Sequence, residues 1–136
     1  MSLSIIRSTL MLALSNYAVA HSPVLTIARE GLPFTKPADY GTFLEAILIP
    51  ATTNTVTVSG VRQRFLGTFQ INVWVKDNAG PGEAETIAGE LAALFTVVPK
   101  TLLPVSVETP LTAHRAILDG SGYRILPCDF SYRMEV

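Results

Sequence analysis

The stretch from Gly67 to Phe95, GTFQINVWVKDNAGPGEAETIAGELAALF, passes from a strand pattern through a glycine-proline loop into a helix pattern. Phe69, Ile71, Val73 and Val75 alternate with Gln70, Asn72 and Trp74, the period of two that marks a half-buried strand. The more polar face still carries a tryptophan. After Lys76 the run Asp77, Asn78, Ala79, Gly80, Pro81, Gly82 breaks the strand with turn-forming residues, and Pro81 stands near where a helix can begin. Ala84, Ile87, Ala88, Leu91, Leu94 and Phe95 then recur at helical spacing. Glu83 and Glu85 occupy the first turn, where carboxylates complement the helix dipole. Ala84, Ala88, Gly89, Ala92 and Ala93 permit close approach of this helix, either to its own sheet or to another surface.

Outward from this segment the chain reads mostly as strands. Pro23 to Ala28 forms a short one, and Gly31 to Gly41 is a proline- and glycine-rich loop. Thr42 to Ile49 is apolar on both faces apart from Glu45, as a central strand would be, and Pro50 closes it. Thr52 to Ser59 reads as a separate strand, broken at Gly60. Leu102 to Val107 is a modest edge strand with prolines about it, at Pro104 and Pro110. Ala113 to Leu118 and Tyr123 to Met134 are joined by Asp119, Gly120, Ser121 and Gly122, a hairpin signal. Grouped strands with separated helices predict an α+β fold over residues 1–136, with a mainly antiparallel sheet, an N-terminal helix and one helix packed across a sheet face.

The first 22 residues admit two readings. Arg7, the apolar run Thr9 to Leu14 and the A-x-A of Ala18, Val19 and Ala20 resemble a secretory signal, which would make the remainder a secreted or periplasmic binding domain. Alternatively Leu3, Ile6, Leu10, Ala13, Leu14 and Tyr17 share one face of an amphipathic helix. Ser15 and Asn16 interrupt the apolar block just before the cleavage site, which favours the helix. No run of 18 apolar residues occurs, so a membrane partner is not expected.

Composition narrows the function further. Of 136 residues, 49% are hydrophobic and only 15% charged, against about 25% in ordinary domains. Such a surface is covered either by neutral polar residues or by an assembly. A net charge of -1 with scattered Lys and Arg offers no basic stripe for nucleic acid. Cys128 is the only cysteine, alternating with Phe130, Tyr132 and Met134, and reads as a small buried hydrophobe. His21 and His114 have no metal-ligand spacing, and Ser121 in Gly-Ser-Gly lies in a hairpin rather than a nucleophile elbow. Gly80 to Gly82 precede a helix but lack the motif of a phosphate loop, and Glu83 and Glu85 repel anions. No cofactor or metal is expected, and Glu45 calls only for a partner such as Arg62 or Arg64 on a neighbouring strand.

Three segments taken in order resemble small bacteriophage tail terminator-like proteins. A helix opening M-S-L-x-x-I-R matches Met1, Ser2, Leu3, Ile6 and Arg7. A P-F-x-x-P loop and a strand ending L-x-P match Pro33, Phe34, Pro37, Leu48 and Pro50. A G-x-(F/Y)-Q-(V/I) strand, glycine loop, alanine-rich helix and terminal Phe match Gly67, Phe69, Gln70, Ile71, Gly80, Gly82, Ala84, Ala88 and Phe95, and the closing strand ends in a similar aromatic and Arg, Tyr132 and Arg133. Arg29 departs from the pattern, standing where an aromatic is expected.

The resemblance implies a non-enzymatic virion protein, a tail terminator or, as the near alternative, another phage connector or minor tail protein of the same fold. Its relatives form a ring, typically a hexamer, that caps the tail tube, stops tube polymerisation and offers a surface for joining the head. The implied partners are further copies of the chain, the tail tube protein and a head-tail connector protein. The implied location is the head-proximal end of the tail, with assembly in the host cytoplasm. It also favours a retained N-terminal helix. For the interface, Trp74 is the first candidate, set against packing beneath a loop or the N-terminal helix. Arg62, Arg64, Lys76 and Asp77, at strand ends or loops, are candidates for setting ring register.

Overall fold

The computed structural model describes residues 2–22, 24–37, 39–55, 63–97 and 105–135. Its elements are α1 (Ser2–Ala20), β1 (Thr26–Arg29), β2 (Phe43–Thr55), β3 (Gln63–Lys76), α2 (Gly82–Leu94), β4 (Val105–Val107), β5 (Thr112–Ala113), β6 (Ile117–Leu118) and β7 (Tyr123–Glu135). β3 is the middle of the sheet, antiparallel to β2 on one side and to β7 on the other. Because β3 takes up one edge of β7 along its whole length, β4, β5 and β6 follow one another along the other edge, each antiparallel to β7.

The sheet is mixed, which corrects the expectation of a mainly antiparallel one. β1 runs parallel to β2, with Thr26 opposite Phe43 and Arg29 opposite Ala46. The physical reason is the connection over residues 30–42, which has the dozen or so residues that a parallel pair needs to return the chain to its starting end. A second correction concerns Pro50, which does not close a strand. β2 continues through it to Thr55, and the register shifts between Pro50 and Thr53, so the missing proline N–H falls at a bulge. The separate strand expected from Thr52 therefore belongs to β2 as far as Thr55, and residues 56–59 lie outside the described residues. The expected strand Ala113 to Leu118 is broken into β5 and β6. Pro127 of β7 gives that edge a carbonyl, taken by the His114 amide at 2.8 Å, and has no N–H to continue the ladder. Val105 to Val107 form a strand as expected, and residues 102–104 lie outside the described residues.

Both helices lie on one sheet face. Ile6, Leu10, Leu14 and Ala18 of α1 recur every four residues and are buried, as are Ala84, Ile87, Ala88 and Leu91 of α2. They meet Leu44, Ala46 and Leu48 of β2, the odd-numbered row Phe69 to Val75 of β3, and Leu126 to Met134 of β7. Each fully buried leucine or isoleucine there contributes about 1.5–3 kcal/mol. The window Leu3–Ala20 has a mean hydropathy of 1.3, long and apolar enough by length and composition to cross a membrane, as core helices and signal sequences also are. Cleavage after Ala20 would strip four side chains from this core. Cys128 is fully buried, and burial pushes its thiol up to about 11, so at neutral pH it is a packed, protonated hydrophobe.

Gly67 and Tyr132 sit opposite each other on β3 and β7. A Cβ at Gly67 would overlap the Tyr132 phenol and come within 2.6 Å of the Ile49 carbonyl oxygen. The glycine is therefore set by close approach rather than by a turn. Gly67→Ala is expected to cost about 1–3 kcal/mol of stability by overpacking, read as a lower denaturant midpoint with an unchanged m-value.

Candidate functional site

With the helices on one side, alternation turns Glu45, Ile47, Gln70, Asn72, Trp74, Ile125 and Asp129 toward the other face. A polar row crosses its middle. Gln70 Nε2 donates to Asn72 Oδ1 at 2.9 Å, and Asn72 Nδ2 donates to Glu45 Oε1 at 2.8 Å. Trp74 Nε1 donates to the same carboxylate oxygen at 3.2 Å. The partners of Glu45 are thus neutral donors, not the arginine expected from sequence. Arg64 instead pairs with Glu135, at 3.0 Å from Nε and 2.9 Å from Nη2, and Arg62 lies outside the described residues.

At one end of this face the loop after β1 folds over an aromatic cluster. Trp74 stacks on Phe43 with centroids 5.1 Å apart and meets Tyr123 edge-on at 5.6 Å. Phe34 packs on Phe43, and Lys36 Nζ stands 4.5 Å above the Trp74 ring while reaching Asp119 at 3.5 Å. Tyr40, at a φ of 57°, lays its ring against Tyr123 and Gly122, where a Cβ would come within 2.6 Å of its Cε1. Of the two placements open to Trp74, the half-buried indole lies beneath a loop. Its neighbours Lys76, exposed, and Asp77, 4.0 Å from Arg124, stand at the same end of β3. Arg64 lies ten residues away along β3, about 33 Å by strand rise. The nominated residues therefore fall into two groups rather than one site.

The glycine loop is a connector. Gly80 has a φ of 83°, a backbone that favours glycine, and Glu83 accepts a hydrogen bond from the Thr42 hydroxyl. Among the described residues no three His, Cys, Asp or Glu side chains gather as metal ligands.

Residues 5–132 match the family described as phage tail terminator protein. The chain belongs to the phage tail terminator family. It is accordingly a structural protein of the phage tail. One solved structure is 32% identical to it, with a TM-score of 0.79 over 98% of this chain and 96% of that one. Seventeen chains of solved structures match it in all, whereas no curated protein does. In this tail terminator some of the residues that carry the resemblance pack in the core beneath the helices and others on the opposite sheet face. Gly67 opposes Tyr132, Phe95 stacks on Phe130 at 4.8 Å beside Phe69, and Phe34 packs on Phe43. The signature is one of folding, not of a reactive site.

Glu30 carries a role that periodicity could not reveal. Just beyond β1, its Oε1 accepts the Leu48 amide at 2.7 Å, past the end of the parallel ladder, and the Arg7 guanidinium at 3.0 Å, tying α1 to the sheet. Burial alone would raise its pKa, but the Leu48 and Arg7 hydrogen bonds together hold it below its ordinary 4.5. A lowered folded-state value stabilises the fold above the ordinary range, and that contribution fades as pH falls through it. Glu30→Gln should therefore be less stable than the parent at pH 7, and the gap should narrow near pH 3, as read from urea midpoints at both.

Proposed function

We propose that this tail terminator forms a hexameric ring on the head-proximal end of the tail tube, where it stops tube polymerisation and presents the surface that the head joins. The observation that carries the reading is the family match, which spans residues 5–132 and so includes nearly all of both helices and of the sheet. Low charge supports it: at 15% charged residues, much of the surface suits burial between protein partners. A ring of identical copies needs one contact repeated head-to-tail around a closed rotation. Its partners are further copies of the chain, the tube protein and the head-tail connector, with assembly in the host cytoplasm.

Lys76 and Asp77 at one end of β3, and Arg64 toward the other, are charges we assign to setting the register of these contacts, with Arg62, outside the described residues, as a further candidate. Trp74 supports the first group by holding Lys36, of the loop after β1, over its ring at the same end of β3. No bond is made or broken in this role.

Electron microscopy of the purified protein, alone and with tail tubes, tests the reading. Rings, or a cap on one end of each tube with growth arrested there, are expected. Persistent monomers that leave tube ends bare and growing would sink it.

A further inference from the structure

A ring contact repeated around a rotation joins two different patches of one subunit, and the sheet offers two such patches at its opposite edges. One edge is β1, flanked by Val24 and Leu32, which are 64% and 61% exposed. The other includes β6, whose Ile117 and Leu118 are 55% and 62% exposed. Large apolar side chains left in water at an unpaired sheet edge are open to another chain.

The two edges complement each other in detail. Ile117 opposes Ile125, which opposes Trp74, so Ile117 projects on the face away from the helices, and Leu118 projects on the helix face. β1 has a cleft on each of those faces. The one away from the helices, about 350 Å³, is lined by Leu32, Phe34, Phe43, Glu45, Ile47 and Trp74 among others. The one on the helix side, about 340 Å³, is lined by Arg7, Met11, Glu30, Leu32 and Ala46 among others. Alternate side chains entering pockets on either side of a partner's edge strand is how added strands are recognised. Charge agrees as well. Arg115, exposed and two residues before Ile117, has no ion pair or hydrogen bond among the described residues. Glu45, in the outer cleft, receives among the described residues only the neutral Asn72 and Trp74 donors, while Lys36 of that cleft is held by Trp74 and Asp119.

We propose that the β6 edge of one copy docks on the β1 edge of the next, with Ile117 in the outer cleft, Leu118 in the helix-side cleft and Arg115 directed to Glu45. The occupant of both clefts is a second copy of this chain, and the assignment rests on the ring reading above. Three variants test it: the double substitution Ile117→Lys with Leu118→Lys, then Leu32→Lys, and Arg115→Glu. All four positions are exposed, so circular dichroism and thermal midpoint should stay near those of the parent. Assembly is followed by sedimentation velocity and by electron microscopy with tail tubes.

The first two variants are expected to remain monomeric, and Arg115→Glu to weaken assembly about tenfold. An equal mixture of the β6 double variant and the Leu32→Lys protein should give dimers and no rings, because only one intact seam can form between them. Rings from the parent and from the first two variants alike would overturn the edge assignment and leave the ring reading standing. A parent that neither forms rings nor caps tubes would overturn both.

Discussion

The row Phe69, Ile71, Val73 and Val75 is the constraint from which the rest of the molecule follows. Its four side chains are almost completely buried, and β3 is paired along nearly its full length on both sides. One face of the sheet must therefore be covered, and α1 and α2 cover it with small and branched residues at four-residue spacing. Once the helices take that face, alternation leaves Glu45, Gln70, Asn72 and Trp74 on the other. The hydrogen-bonded row there is a direct result of the side-chain period of a strand.

What was legible in the sequence was whatever local periodicity encodes. The alternation of residues 69–75, the helical spacing from Ala84 and the Asp119–Gly122 turn all placed their elements correctly. Strand direction was not legible, because a short segment such as Thr26–Arg29 alternates identically whether its partner runs parallel or antiparallel. Pro50 misled for a related reason: proline forbids one donor, and a bulge can absorb that loss without ending the strand.

Contacts between distant residues were legible least. The partner of Glu45 looked like an arginine because a carboxylate in an apolar run suggests a cation, yet two neutral donors on the adjacent strand satisfy it. Trp74 could be placed on a face but not under a particular loop, since the Lys36 that covers it comes from far earlier in the chain. Glu30 gave no signal, as its task depends on the amide of Leu48 and on Arg7 lying beside it. The edge residues Ile117 and Leu118 read as ordinary strand apolars, and only their exposure set them apart.

The order of strands in the sheet bears on how the chain comes to be folded. β7, the most C-terminal of the described elements, is an inner strand, lying between β3 and the β4, β5 and β6 segments. During synthesis β3 therefore waits with a bare hydrogen-bonding edge until residues 123–135 have been made, and the loop over Trp74 waits for Tyr123. Pairing across such sequence separations is slow, and an open strand edge invites other chains in the meantime. The topology thus sets a biosynthetic interval in which this tail protein is most exposed to misassembly, and it ends when β7 slots into place.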